Sequence, residues 1–285
     1  IDRRFMEGLA RGAAMAGGEA MACRGCAAKV SADPLQHALA RLEPEAGCPP
    51  PEDAAVLASS SSGALLLQSL DGFPALVTRH AAGDVYYCGW ASRRSFGASS
   101  WLVVRPEGNV LIDSPRWSAP LARRIAALGG LHALVLTHRD DVADHQRWAT
   151  ALGCSRWIHQ ADADAAPDAE HQVQGSAAVA LDGALQLIPC PGHTAGSMAV
   201  LLGERRSVLF SGDHLWWRPE QAVLVASERY CWWDFQEQLR SVERLKELDV
   251  AWLLPGHGHA HAFAPGEWRA ALEQTLASNR RSPCC

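Results

Sequence analysis

Thr137-His138-Arg139-Asp140-Asp141-Val142-Ala143-Asp144-His145 packs two histidines and three aspartates into the eight positions from His138 to His145. It follows directly on the apolar run Ala133-Leu134-Val135-Leu136. A short apolar run bounded by polar residues reads as a buried strand, and a strand end that feeds a loop is where α/β folds place their chemistry. Taken alone, the stretch could equally be a solvated acidic loop. What argues against that is repetition of the same device. Ala184–Ile188 leads to Pro191-Gly192-His193-Thr194-Ala195-Gly196-Ser197. Ser207–Phe210 leads to Ser211-Gly212-Asp213-His214, and Val250–Leu254 leads to Pro255-Gly256-His257-Gly258. Four apolar strands each deliver a metal-ligating residue type into a Gly- or Pro-containing turn.

Working outward, Ser100–Val104 and Val110–Asp113 read as paired strands around Pro106-Glu107-Gly108-Asn109. Pro120–Leu128 reads as a helix stopped by Gly129-Gly130, and Asp234–Leu248 and Gly266–Ser278 as outer helices. A Pro-rich break at Cys48-Pro49-Pro50-Pro51 and the serines Ser59–Ser62 set the first third apart, with a domain boundary expected near residue 80. No internal repeat of fixed period is visible.

In this order, the four segments resemble the motif signature of the metallo-β-lactamase superfamily, over roughly residues 83–275. The resemblance implies an α/β (α+β) fold, a four-layer αββα sandwich over residues 81–285, with residues 1–80 as an N-terminal appendage. The family's first motif is usually His-x-His-x-Asp-His. Here His138 matches its start and Asp144-His145 its end, with two extra residues between. Asp140 stands in the register of the second His, and Asp141 competes for that place. The resemblance then implies two divalent metal ions: one on His138, Asp140 and His193, the other on Asp144, His145 and His257, with Asp213 bridging. Imidazole with carboxylate suits Zn first, and Fe or Mn as alternatives. It further implies a hydrolase whose nucleophile is a hydroxide held by both metals, with Asp144 and Asp213 as the catalytic carboxylates. His214, His259 and His261 are read either as proton donors and ligand-orienting groups or as loop histidines.

Asp213, where antibiotic-hydrolysing zinc enzymes commonly have Cys or His, resembles the glyoxalase II-like thioesterases and points to a small ester or thioester substrate. A lactam hydrolase or phosphodiesterase of the same fold is an alternative. The carboxylate in the second ligand position also resembles flavodiiron proteins, which implies a di-iron redox enzyme fed by a separate electron donor. Trp216-Trp217 and Trp232-Trp233 after the Asp213 loop read either as a substrate-facing aromatic wall or as core packing.

Cys23-Arg24-Gly25-Cys26-Ala27-Ala28-Lys29, Pro51-Glu52-Asp53-Ala54-Ala55-Val56 and Leu66-Leu67-Gln68-Ser69-Leu70-Asp71 resemble the beginning of selenophosphate synthetase. That implies selenide and ATP roles for Cys26 and Lys29, and metal–nucleotide roles for Asp53 and Asp71. The rest of that enzyme is missing, so the segment is read as a fusion remnant or a docking piece for a redox or other partner. A Cys23–Cys26 redox or metal pair, joined by Cys284 and Cys285, is the alternative.

Composition narrows the remaining classes. With 48% hydrophobic and 20% charged residues, the chain has the makings of a globular core. A net charge of −5 with scattered Lys and Arg gives no stripe for nucleic acid. Every apolar run is broken well short of the about 18–20 residues that span a bilayer, so no membrane span is expected. Arg3-Arg4-Phe5 faintly echoes a twin-arginine signal, but Glu7, Arg11 and Glu19 interrupt any apolar core of one. Nine cysteines without scaffold spacing read as reduced thiols and place the chain in the cytoplasm.

Overall fold

The computed structural model describes residues 54–59, 65–69, 78–80, 82–90, 97–203 and 206–280. The readings for Cys23, Cys26, Lys29, Asp53, Asp71, Cys284 and Cys285 lie outside these residues. Two compact units are distinguished: Ile1–Leu76 with Ser118–Leu121, and Val77–Trp117 with Ala122–Cys285. In the first, β1 (Ala54–Ser59) and β2 (Leu65–Ser69) form an antiparallel hairpin with a bulge between Val56 and Ala58.

The second unit is built on two sheets. One has seven strands in sequential order: β3 (Thr78–Arg79), β4 (Val85–Trp90), β5 (Ser99–Val103), β6 (Val110–Ile112), β7 (Ala133–Val135), β8 (Ser155–His159) and β9 (His171–Val173). Pairing is antiparallel as far as β6 and parallel from β6 to β9. The parallel joins need crossovers: α1 (Ala119–Ala127) supplies the first, α2 (His145–Leu152) the second and the 3₁₀ turn Gln160–Ala165 the third. The other sheet runs β10 (Val179–Ala180), β11 (Leu185–Pro189), β12 (Met198–Leu202), β13 (Ser207–Gly212), β16 (Val250–Pro255) and β17 (His261–Ala262). Between β13 and β16 lie the hairpin β14 (Trp216–Arg218) and β15 (Val223–Val225) and helix α3 (Phe235–Leu245); α4 (Glu267–Arg280) closes the chain.

Strand alternation decides which faces meet. Trp101, Val103, Val110, Ile112, Ala133 and Val135 of the first sheet pack with Leu185, Leu187, Met198, Val200, Val208, Phe210 and Leu254 of the second. Their intervening neighbours are buried too: on the first sheet Leu102, Leu111, Leu134 and Ile158 are fully covered, as are Ile125 of α1 and Trp148 of α2. On the second sheet Ala199, Leu201, Leu209 and Leu253 pack with Leu239, Val242 and Leu245 of α3 and Trp268, Leu272 and Leu276 of α4. Both faces of both sheets are therefore apolar, which is the αββα sandwich. A bidentate pair from Arg105 to Asp182, at 2.9 and 2.7 Å, ties the loop after β5 to the loop before β11.

No helix among the described residues is long and apolar enough to cross a membrane.

Candidate metal centre

Four loops converge at one edge of the sandwich, each leaving the end of a buried strand. β13 and β16 are parallel neighbours, with Gly212 opposite Pro255, so Asp213 and His257 leave the sheet side by side. The Gly256 N–H bonds the Gly212 carbonyl at 2.8 Å and holds the two turns in register. From the other sheet, β7 runs into Thr137 and His138, and the Met198 N–H bonds the Thr137 carbonyl at 2.8 Å. The His193 loop joins β11 to β12, and its Gly192 has φ +150° with α3 against it: a Cβ there would lie 2.2 Å from the Gln238 Cα. Only glycine lets the loop lie this close to the helix.

The side chains meet around Asp213. Its Oδ2 lies 3.6 Å from His138 Nε2, 3.8 Å from His193 Nε2 and 3.5 Å from His257 Nε2. Asp140 Oδ2 stands 3.4 Å from His193 Nε2 and 3.8 Å from His138 Nε2, and Asp141 Oδ2 is also 3.8 Å from His138 Nε2. Two sets of converging donors emerge, His138–His193–Asp213 and Asp141–Asp213–His257, with Asp213 common to both. Asp140 flanks the first set and Asp141 belongs to the second.

Of the residues expected from the sequence, the structure thus brings together His138, Asp140, His193, Asp213 and His257. Asp144 and His145 lie elsewhere. Asp144 takes a left-handed φ of 65° at the start of α2, is exposed, and its Oδ2 accepts the Trp117 N–H at 2.8 Å. His145 begins α2 with Nδ1 3.3 Å from the Arg156 guanidinium; burial, then that cation, lowers its pKa. The two extra residues of the motif are spent in reaching the helix. Of the further histidines, His214 is fully buried, which lowers its pKa to about 3 and keeps it neutral. His261 stacks on Trp217 at 3.6 Å between ring centroids. The His259 backbone bridges to Trp217.

Two aspartates that the sequence reading left unassigned hold the site in shape. Asp113, buried and with φ 56°, accepts the Thr137 N–H at 2.8 Å and the Thr137 hydroxyl at 2.9 Å. That hydroxyl has one hydrogen to give, so toward His138 Nδ1, 3.0 Å away, it acts as acceptor. His138 then carries its proton on Nδ1 and presents the Nε2 lone pair to the cluster. His193 is set the same way, its Nδ1 donating to the Tyr230 carbonyl at 2.6 Å. Asp162, also buried, staples two ligand loops together: it accepts from Arg139 N at 3.1 Å, from Gly196 N at 3.0 Å and from the Thr194 hydroxyl. A single aspartate after a strand carries no sequence signal of its own, and Asp162 lies in a 3₁₀ turn between unremarkable alanines.

Electrostatics show what the cluster lacks. Burial, then the like charges of Asp213, Asp113 and Asp140, hold the Asp141 carboxyl well above the usual carboxylate range. Burial pushes Asp113 up to about 7 against its two bonds from Thr137. Burial would also raise Asp140, but the close approach of His193, with Nε2 3.4 Å away, and the neighbouring His138 bring it below its ordinary value. Meanwhile His138 Nε2, His193 Nε2, Asp140 Oδ2, both Asp141 oxygens and Asp213 Oδ1 are buried with no hydrogen-bond partner. Buried polar atoms left unpaired cost about 1–3 kcal/mol each, so six converging ones call for an occupant. Three carboxylates and three imidazole nitrogens aimed at one another fit divalent cations by charge and by donor type.

A two-sheet sandwich with a His/Asp centre at its edge is the architecture of a metallo-hydrolase. The chain belongs to the metallo-beta-lactamase superfamily, whose family model matches residues 93–257. A Caenorhabditis elegans protein, "Beta-lactamase-like protein 2 homolog", is 34% identical over 98 residues, which span 34% of this chain and 30% of that protein. Among solved structures, the DIM-1 metallo-beta-lactamase superposes with a TM-score of 0.56 at 21% identity, covering 72% of this chain and 96% of that one. A metallo-beta-lactamase from Hirschia baltica gives 0.54 at 16% identity, covering 70% and 95%. At these identities the structural likeness speaks for the fold.

Proposed function

We propose that the chain is a dinuclear hydrolase in which His138, Asp140, His193 and Asp213 hold one divalent cation and Asp141, Asp213 and His257 hold the other. Zinc is the expected ion, with iron or manganese as alternatives. The observation that carries this reading is the set of six buried, unpartnered donor atoms on three loops, with His257 of a fourth loop turned toward them. Cations bound there would supply the Lewis acidity that polarises a carbonyl oxygen and makes water nucleophilic near neutral pH, at a pKa of about 7. The chain's own part is positional. Asp113–Thr137 and the Tyr230 carbonyl fix the tautomers of His138 and His193, and Asp213 is shared between the two sets. His214, neutral and sealed, takes no part as a proton donor at neutral pH.

The substrate we propose is a small ester or thioester. Asp213 in the shared position supports it, as does the lack of a basic stripe that would follow a polyanion. The same proposal places the protein in the cytoplasm, where Cys88, Cys154 and Cys190, free and buried, stay reduced.

Elemental analysis of the purified protein, together with a panel of ester, thioester, lactam and phosphodiester probes, tests the reading. Two divalent ions per chain and turnover confined to esters or thioesters are expected, with both metal and turnover lost in Asp213→Ala. Asp140→Ala and Asp141→Ala should each lose about one ion, while Asp144→Ala keeps both. Full metal content in Asp213→Ala, or loss of metal in Asp144→Ala with Asp141→Ala unaffected, would overturn the assignment.

A further inference from the structure

Three large apolar side chains stand out as exposed among the described residues: Tyr230 at 40%, Trp232 at 60% and Trp233 at 55%. All lie within one four-residue stretch, Tyr230-Cys231-Trp232-Trp233, between β15 and α3. Exposure of this kind opposes the hydrophobic effect. On the usual accessible areas of Tyr and Trp the three rings present roughly 300–400 Å² of aromatic surface to water, a patch of the size that marks binding sites on monomers. Trp216 and Trp217, by contrast, are half-buried, Trp217 packing against the core and stacking on His261. The exposed pair and the packed pair therefore have different roles.

The stretch is fastened to the metal centre through its backbone. The N–H groups of Trp232 and Trp233 both bond the His193 carbonyl, at 2.9 and 3.1 Å, and the Asp234 N–H bonds the Gly192 carbonyl at 3.0 Å. The Tyr230 carbonyl takes the His193 Nδ1 proton. The Trp232 ring sits edge-on to the His193 ring with centroids 6.0 Å apart, and Trp216 meets Tyr230 at 6.1 Å. With the main chain so anchored, the stretch is held beside ligand His193, and the Trp232 ring lies against it. A rigid aromatic surface adjoining a reactive centre binds at low entropic cost.

We propose that Tyr230, Trp232 and Trp233 form the specificity wall of the site, and that the group they receive is the flat, uncharged, aromatic or apolar acyl moiety of the substrate. The proposal rests on the hydrolase reading for the placement of the acyl carbon at the metal centre. The occupant is argued from continuity: the wall shares hydrogen bonds with ligand His193, so a molecule lying on it reaches the converging donors. Both indoles offer large π-faces suited to offset stacking with a planar group.

The test uses the full chain loaded with its metal and two matched ligands, a phenylacetyl thioester and the acetyl thioester of the same thiol, with their non-hydrolysable thioether counterparts. Calorimetric binding of the thioethers should favour the phenyl compound by at least about tenfold. The double variant Trp232→Ala/Trp233→Ala should lose most of that preference at unchanged metal stoichiometry. Trp232→Phe should keep it, which separates a missing ring from a disturbed loop. For the thioesters, the preference should appear in kcat/KM by the same factor. An unchanged preference in the double variant overturns the proposal, as does tighter binding of a trimethylammonium analogue, or a change of oligomeric state as the sole effect. Thioether preference lost in the variant without thioester turnover in wild type would leave the wall standing and sink the hydrolase reading instead.

Discussion

Replacing Gly256 by alanine should weaken metal binding at the centre without changing any ligand. A Cβ at this position would lie 2.6 Å from Asp213 Oδ1, whereas ordinary contact begins at 3.4 Å, so the carboxylate must retreat by about 0.8 Å. The Gly212 backbone, at 3.2 Å from the same Cβ, must also give by a few tenths of an ångström. Metal–oxygen bonds run about 2.0–2.2 Å and tolerate errors of about 0.2 Å, so the displacement is several times what a cation held by Asp213 would accept. Disturbing a ligand's support typically costs about 10–100-fold in affinity, or about 1.4–2.7 kcal/mol. The fold should barely notice. Asp213 Oδ1 has no hydrogen bond to lose, and the alanine's reduced freedom in the unfolded chain contributes about 0.4–1 kcal/mol toward stability. The assay is thermal unfolding with chelator and with saturating metal. Wild type and Gly256→Ala should melt within a few degrees of each other in chelator, and the variant should gain less on adding metal. Equal metal-induced stabilisation and equal stoichiometry would refute the reasoning.

Truncating Phe210, fully buried between the two sheets, should cost about 3–5 kcal/mol, read as a lower urea midpoint at unchanged slope. Asp182 is held down to about 2 by the Arg105 hydrogen bond against a smaller effect of burial. Its stabilising pair is therefore complete above the ordinary carboxylate pKa of 3.8 and is lost as pH falls through about 2. Asp182→Asn should thus be less stable than wild type by on the order of 1 kcal/mol at pH 6, allowing for solvent screening, with the gap closing toward pH 2. Urea unfolding at the two pH values checks it, and a gap that widens on acidification would contradict the sign.

Legibility followed from how strongly one pattern dominated each segment. The hairpin around Pro106–Asn109 and the strands ending at Val135, Pro189, Gly212 and Pro255 combine apolar runs with polar, Gly or Pro punctuation, and they stand within a few residues of where the sequence puts them. Helix α3 is announced by Asp234, which caps it by accepting the Glu237 N–H at 3.0 Å, though it ends at Leu245 rather than at Leu248. β8 was hidden because its sequence, Ser-Arg-Trp-Ile-His, looks half polar. Arg156, its second residue, is almost wholly buried, made tolerable by the paired oxygens of Glu170 at 2.7 and 3.0 Å and by the Asp168 carbonyl. Such pairing is a tertiary fact that no local periodicity carries. The hairpin β14–β15, three residues to a strand, is too short for alternation to register.

The same distinction explains the ligand sets. A motif read from both ends assumes a fixed span, and with two residues added that span can be kept at only one end. The strand end is the rigid one. β7 is hydrogen-bonded on both sides, Thr137 is clamped by Asp113 and by Met198 N, and the Ser114 N–H donates to the Asp141 carbonyl at 3.1 Å. Positions counted forward from Thr137 are therefore set in space as far as Asp141. Beyond it the chain is bound to start α2, and Asp144 and His145 follow that helix to Trp117 and Arg156. Counting from the strand gives His138, Asp140 and Asp141 as the ligands this loop offers; counting back from the helix gives Asp144 and His145. Metal content decides between them: Asp141→Asn should lose an ion that His145→Ala retains, because a buried carboxylate facing Asp213 and His257 has no other counter-charge in reach, whereas His145 already has its partner.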